Sequence, residues 1–399
     1  QATVLSVESG VPQLAGNGAP IGLMVKLPKD VPGLIAALES HVTVLETRMQ
    51  VLAALEGLAD NAGSRSEIVA AGGSRALVAM LSFEKAEGRI RAASILKKLA
   101  ATSACQNVIL IAGALPPLVS LLSSSTADGK EQEEAAAALQ NLTVTDKARR
   151  HALAAGALPP LVNMLTQGAA RGQAAAAGAL GALPSNSEFA AELATAGVLP
   201  PLIALLSIGD AEGKRQAARA LGKFGCSNGE RNIVMQAGAL PLLVDLLQNG
   251  NMLGKVQAAE TLAILGTADD LGLQIDVVDA PEAPDTEPLV AAGAVPPLVA
   301  LLSSGDPEGQ EHAVLALFRI ASKAENVEAI WAAGAVRPLV ALLAGGPAGV
   351  TTSKSRAWVY GTLRYLATSP ERKEAIQVAV PRGVRGQESI VLQIQAMCF

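Results

Sequence analysis

The chain repeats one glycine-led apolar motif seven times, at nearly constant spacing. The copies read AGGSRALVAML, AGALPPLVSLL, AGALPPLVNML, AGVLPPLIALL, AGALPLLVDLL, AGAVPPLVALL and AGAVRPLVALL. Successive motif glycines, from Gly72 to Gly334, lie 41, 43, 41, 41, 55 and 41 residues apart. A fixed period in this range is typical of a helical solenoid, in which each unit buries its apolar face against its neighbours. The motif therefore predicts a stack of similar units rather than a globular enzyme fold.

The segment 107–145 shows how one unit is built. Its apolar stretch NVILIA ends at Gly113, because glycine adopts the left-handed conformation after a helix at little cost. Pro116 and Pro117 then open a second helix, since the missing N–H of proline does no harm in a first turn. The polar turn SSSTADG ends that helix. EQEEAAAALQNL follows as a third helix, with acidic residues in its first turn.

This order of elements resembles the armadillo repeat. The resemblance rests on the segment A-G-A-[LV]-P-P-L-V-x-L-L and on the third helix A-x-x-A-L-x-x-L. It implies an all-α fold, a right-handed α-solenoid of about eight armadillo repeats with three helices each, over residues 30–380. A weaker unit at 31–60 precedes the seven motifs, and 371–380 resembles the first helix of a further unit. Residues 1–29 and 381–399 match no repeat, and we interpret them as an irregular N-terminal segment or cap and an irregular C-terminal tail.

The 55-residue spacing holds about 14 extra residues, which fall in the segment 268–288. This segment contains seven acidic residues, three prolines and no basic residue. Such a composition is typical of an exposed loop, because it offers little apolar surface to bury. We interpret it as a solvated insertion. The alternative is that it folds over the adjacent groove as a pseudo-ligand.

Composition excludes several classes of protein. A net charge of −5 and a pI near 5.4 argue against a nucleic-acid binder, and nine aromatic residues are few for base stacking. No apolar stretch approaches the ~18 residues of a membrane span. Cys105, Cys226 and Cys398 are odd in number and far apart, which favours buried thiols in a reducing compartment. We expect a cytoplasmic monomer, with nuclear and peripheral-membrane locations as alternatives.

The residues offer no recognisable catalytic or metal-binding set. His41, His151 and His312 lie in different repeats without the spacing of metal ligands. The sequence lacks P-loop, G-x-G-x-x-G, G-x-S-x-G and H-E-x-x-H motifs, and no nucleophile, base and orienting group come together. We therefore expect a protein that is not an enzyme and uses no cofactor or metal.

The resemblance implies that the third helices line a concave groove, with two outward positions per helix, one turn apart. The pairs in order are Ala53/Gly57, Ser94/Lys98, Ala137/Asn141, Gly178/Ala182, Arg219/Lys223, Glu260/Ile264, Leu315/Arg319 and Gly361/Tyr365. Nuclear-import adaptors of the family carry Trp and Asn at these positions and bind basic peptides. Here the first position never holds Trp, and Asn appears at Asn141 alone. This departure argues against the recognition of basic import signals.

The groove positions that offer polar or bulky side chains are the predicted partner-binding residues: Ser94, Lys98, Asn141, Arg219, Lys223, Glu260, Ile264, Leu315, Arg319 and Tyr365. The cations among them resemble the basic grooves of adhesion- and signalling-type armadillo proteins, which hold acidic extended peptides. The alternative is that these cations are solvated and share no ligand. Five of the nine aromatic residues crowd the last two repeats, where we expect them to close the core, with Tyr365 as an exception available for binding.

These observations favour a protein-interaction scaffold that binds an extended, acidic peptide or a partner helix in the groove. One alternative is the substrate-binding region of an armadillo-type ubiquitin ligase, which a U-box before Gln1 would support. Another is a membrane-associated tether, which an acylation signal would support. A nuclear-import adaptor is the least favoured role.

Overall fold

The computed structural model describes residues 27–40, 43–124, 129–184, 187–226, 228–266, 285–304, 306–344 and 352–380, together with 392, 394 and 396. Their regular structure is helical, and no β-strand occurs within these ranges. His41, Cys398, residues 1–26 of the irregular N-terminal segment, and most of 381–399 lie outside them. The described helices follow one another in the predicted order of first, second and third helix, so the all-α solenoid is confirmed.

The helices are numbered α1 to α24 along the chain. The first helices of the repeats are α3 (Ala62–Ala70), α6 (Ser103–Ile111), α9 (Asp146–Ala154), α12 (Ser187–Thr195), α15 (Asn228–Gln236), α18 (Glu287–Ala291), α21 (Val327–Ala332) and α24 (Pro370–Val378). The second helices are α1 (Val31–Glu39), α4 (Gly73–Met80), α7 (Leu115–Leu122), α10 (Leu158–Gln167), α13 (Leu199–Ile208), α16 (Ala239–Asn249), α19 (Val295–Leu302) and α22 (Val336–Leu343). The third helices are α2 (Leu45–Leu58), α5 (Ala86–Ala100), α8 (Lys130–Leu142), α11 (Ala170–Ala182), α14 (Ala211–Phe224), α17 (Met252–Leu265), α20 (Pro307–Ala321) and α23 (Ser353–Leu366).

A left-handed glycine joins the first helix of a repeat to the second. All seven motif glycines have positive φ, between 74° at Gly197 and 86° at Gly72 and Gly238. The turn bends the chain sharply: α6 and α7 meet at 88°, and α12 and α13 at 77°. Because side chains with a Cβ resist this φ, the glycine of each motif is explained by the turn.

The third helices pack side by side in one continuous layer, from α2 through α5, α8, α11, α14, α17 and α20 to α23. Small residues make this close packing possible. Ala176 and Ala177 of α11 and Ala217 and Ala218 of α14 are completely buried. This layer, together with the Leu- and Val-rich second helices, forms one core that runs the length of the array.

The ends of the array agree with the sequence prediction. The weaker N-terminal unit forms α1 and α2, and the segment 371–380 supplies α24. Trp358 and Tyr360 of the last third helix are each only 5% exposed, so these aromatics close the core as expected. The Arg372 guanidinium lies over the Trp331 ring, 4.8 Å from its centre.

The predicted acidic insertion is shorter at its C-terminal end than the sequence suggested. α18 begins at Glu287, and Asp285 forms an ion pair of 2.9 Å with Lys323. Thr286 is buried and accepts a 2.8 Å hydrogen bond from Asn326. Residues 285–288 therefore belong to the repeat that follows. The remainder of the insertion, 268–284, lies outside the described residues.

One prediction about the cysteines needs correction. Cys105 is buried, and this burial raises the pKa of its thiol. Cys226, however, is exposed, because it follows the end of α14, where the chain turns toward the next repeat. No single helix of the described chain has the length and apolar character of a membrane span, although three sharply bent helix pairs meet that criterion when taken together.

The turn geometry predicts the effect of substitution at Gly156, which has a φ of 82°. A Cβ built on Gly156 meets no atom within 4 Å, so any loss must come from the backbone conformation alone. Gly156→Val should lower the free energy of unfolding by about 1–3 kcal/mol, because a β-branched residue resists positive φ.

Gly156→Asn is the matched control, because asparagine tolerates the left-handed conformation and should cost much less. Chemical denaturation would compare the two variants, and hydrogen exchange would locate the damage in the neighbouring repeats. Equal losses for Val and Asn would contradict the assignment of a strained left-handed turn.

Candidate peptide-binding groove

The predicted positions lie along the layer of third helices, and we call the surface that they form the groove. Most of these residues are half-buried, and Lys223 is exposed. Ser94 departs from the prediction, because it is 6% exposed and its hydroxyl donates a 2.8 Å hydrogen bond to Glu56. The helices α2, α5 and α8 form the N-terminal half of the groove, and α14, α17, α20 and α23 form its C-terminal half.

Ion pairs within the chain neutralise the N-terminal half. Arg91 contacts Glu56 at 3.0 Å, across the boundary between α5 and α2. Lys98 Nζ lies 2.7 Å from Asp60 and also donates to the backbone carbonyl of Glu56 at 3.1 Å. The predicted groove cation Lys98 is therefore already paired.

A second set of contacts joins α5 to α8. Lys97 pairs with Glu134 at 2.6 Å, and the amide of Asn141 donates to the Lys97 carbonyl at 3.1 Å. Asn141, the single asparagine at the groove positions, thus binds a neighbouring helix. The sequence analysis missed Lys97 and Glu134, as it missed Glu56 and Arg91. Their opposite charges in adjacent repeats were the available signal.

A long side chain crosses the middle of the groove. A Cβ built on Gly178 of α11 would lie 2.2 Å from the Gln140 side chain, so Gln140 passes directly over this glycine. With its amide oxygen turned toward α14, Gln140 accepts hydrogen bonds of 2.9 and 3.1 Å from Arg219. Gln140 thereby links α8 to α14 across an intervening helix, and it holds the Arg219 guanidinium in place.

Arg219 lies among charges of both signs. Its partial burial lowers the pKa of the guanidinium, and the neighbouring cation Arg215 acts in the same direction. Glu260 and Glu212 oppose this shift. Both acids have other partners, because Arg215 pairs with Glu212 at 2.5 Å and Gln257 donates to Glu260 at 2.6 Å.

Two cations at the predicted groove positions of the C-terminal half have no acceptor among the described residues. Lys223 is exposed and forms no ion pair there. Arg319 is half-buried, and its Nη1 atom is enclosed without a hydrogen-bond partner. Burial lowers the pKa of the Arg319 guanidinium to about 10, and the cation Arg231 adds to this effect. The guanidinium still carries its charge at neutral pH.

Apolar groove positions adjoin that of Arg319 on its own helix and on the two neighbouring third helices. Ile264 and Leu315 are half-buried, as is Tyr365, whose ring lies 5.8 Å from that of Phe318. Elsewhere in the described part of the chain, a cavity of about 300 Å³ opens beside Met164 and Arg171, away from these positions. No group of three or more metal-ligating side chains comes together within the described ranges.

Because the Gln140 side chain lies over Gly178, substitutions at these two residues should have non-additive effects on the free energy of unfolding. In the wild-type chain, Gly178→Ala should displace Gln140 and break its bonds to Arg219, which offsets the better helix propensity of alanine. In a Gln140→Ala background the same change should stabilise the fold by up to about 1 kcal/mol.

Urea denaturation of the four chains would measure the coupling free energy, which we expect to be about 1–2 kcal/mol. A coupling near zero would show that Gln140 does not cross this glycine.

Comparisons with known proteins identify the fold. The armadillo/beta-catenin-like repeat model matches residues 102–144, 145–183, 186–223 and 283–322. A crystal structure of an engineered protein is 29% identical over 92% of this chain and 87% of its own, with a TM-score of 0.71. A designed armadillo repeat protein is 26% identical over 59% of this chain and 100% of its own, with a TM-score of 0.54.

A second designed armadillo repeat protein, solved in complex with the peptide (KR)4, is 26% identical over 59% of this chain and 99% of its own, with a TM-score of 0.53. The search of the curated proteins found no match. The matched repeats coincide with the helix triplets and left-handed glycine turns described above. This chain belongs to the armadillo repeat family.

Proposed function

We propose that this chain is a binding scaffold that holds an extended acidic peptide, or the acidic face of a partner helix, in the C-terminal half of its groove. The observation that carries this proposal is the contrast between the two halves. Lys97 and Lys98 are paired with carboxylates of the chain, whereas Lys223 and Arg319 have no acceptor among the described residues. Cations without partners are the groups best placed to meet carboxylates of a ligand.

The comparison with designed armadillo proteins supports the binding of a peptide, but it does not support the acidic character proposed for the ligand. One designed relative is solved with the basic peptide (KR)4. The chain described here carries cations at the C-terminal groove positions, so the same kind of surface should favour acidic sequences. A substrate-binding region of a ubiquitin ligase or a membrane-associated tether would use the same groove for its partner.

The expected energies are modest. Exposed ion pairs contribute about 0.2–1 kcal/mol each, so several must act together. Stacked helices lie about 8–10 Å apart, and an extended peptide advances about 3.3 Å per residue. A peptide of about twelve residues therefore spans about four third helices, enough to cover α14 to α23.

The proposal predicts that removing the C-terminal cations weakens the binding of an acidic peptide. The probe is a fluorescent twelve-residue peptide with the repeating triplet Glu-Ser-Ser. The variant Arg219→Gln with Lys223→Gln should raise the Kd by about two- to thirtyfold, because it removes one half-buried and one exposed cation, each of which would contribute about 0.2–1 kcal/mol with a peptide carboxylate. Fluorescence anisotropy at two salt concentrations would measure this change, which should shrink at high salt.

Lys97→Gln with Lys98→Gln is the matched control, since it removes the same charge from the half that is already paired. It should change the Kd less than the C-terminal variant does. If both variants weaken binding equally, the ligand responds to net charge alone. If wild-type protein binds the (KR)4 peptide and not the acidic one, the proposal is wrong.

A further inference from the structure

Arg319 differs from most of the buried or half-buried arginines, because it has no partner among the described residues. Arg65 donates to the Ala59 carbonyl at 2.7 Å, and Arg149 donates to the Ala182 carbonyl at 3.0 Å. Arg89 reaches the fully buried Glu131 at 2.7 Å. No described group accepts a hydrogen bond from Arg319: its Nη1 atom is enclosed without a partner, while the residue as a whole is only half-buried and stays partly open to solvent. These other arginines hold helices together, and Arg319 makes no such bond.

This arrangement lowers the stability of the folded chain. The charged group that acts on Arg319 is another cation, Arg231, so no carboxylate compensates the loss of water. The pKa of the guanidinium is lowered, which means that the unfolded chain holds this proton more tightly than the folded chain does. The charge therefore opposes folding at neutral pH, and stability should rise only as the pH passes about 10.

The surroundings of Arg319 indicate what would compensate this charge. Ile264 of α17 and Leu315 of α20 occupy neighbouring groove positions, and Tyr365 occupies the next one, on α23. Phe318 lies across Gly361, where a Cβ would come within 2.5 Å of its ring. Arg319 thus occupies a groove position between an aliphatic one on α17 and an aromatic one on α23. A half-buried cation interacts more strongly with a carboxylate than a fully solvated one does.

We propose that Arg319 is the anchor for one carboxylate of the bound peptide, and that Ile264, Leu315 and Tyr365 receive an apolar side chain beside it. This inference rests on the proposed function and narrows its ligand. The preferred peptide carries an acidic residue next to an apolar one, and a uniformly acidic peptide binds less tightly. The stability lost by leaving Arg319 unpaired is recovered when the ligand binds.

The test is a substitution with opposite effects on binding and stability. Arg319→Met keeps the unbranched stem and removes the charge. It should raise the Kd for an acidic peptide by about tenfold or more, as expected for truncating one partner of a desolvated pair. It should also raise the Tm of the unliganded protein, because an unpaired half-buried charge is removed. Arg337→Met, at an exposed arginine of α22, is the matched control and should do neither.

Two peptides of equal charge test the apolar part of the site. One has the repeating triplet Glu-Ser-Ser and the other the triplet Glu-Leu-Ser, each over twelve residues. Wild-type protein should bind the leucine peptide at least several-fold more tightly, and Tyr365→Ser should reduce this preference.

The outcomes separate this inference from the proposed function. Failure of wild-type protein to bind either peptide would contradict the proposed function itself. Binding that is unchanged in Arg319→Met would overturn the anchor and leave the proposed function standing. A lower Tm in Arg319→Met would assign the residue a structural role and would also overturn the anchor. Equal affinity of wild-type protein for the two peptides would overturn the apolar site.

Discussion

The close approach of the third helices is the constraint on which the rest of this structure depends. Alanine and glycine line the contact between neighbours, and a Cβ on Gly181 would lie only 2.9 Å from the Ala220 backbone. Because the helices are so close, long side chains on one helix reach the next, as Arg91 reaches Glu56. Gln140 reaches even further, over Gly178 to Arg219. Helix packing thus decides which charges in the groove are paired within the chain.

This pairing gives the groove two unlike halves. In the half formed by α2, α5 and α8, carboxylates and cations from adjacent helices satisfy each other. In the half formed by α14 to α23, Lys223 and Arg319 lack acceptors among the described residues. A half-buried cation without a partner, such as Arg319, reduces stability, and departures of this kind are expected at functional sites. Lys223 is exposed, so water solvates it and a ligand can reach it. For this reason the proposed binding site is the C-terminal half, although the net charge of the whole chain is negative.

The fold could be predicted from the sequence because its signals are local. The period, the turn glycines and the prolines that open second helices each act within a few residues, and the structure confirms them. The site was harder to predict. The groove positions lie on the third helices as expected, but the partner of Lys98 depends on where Asp60 falls across a helix interface. The burial of Ser94 also depends on a contact between helices, since its hydrogen-bond acceptor Glu56 lies in the preceding repeat. Such contacts depend on the register between helices, which no local pattern specifies.

The central claim concerns which half of the groove binds, and a hydrogen-exchange footprint tests it most directly. The protein would be compared with and without a saturating acidic peptide of about twelve residues, and peptic fragments would report on each third helix. We predict added protection in α14, α17 and α20, and little change in α2, α5 and α8. Protection confined to the N-terminal third helices, or to the first helices of the repeats, would contradict the account.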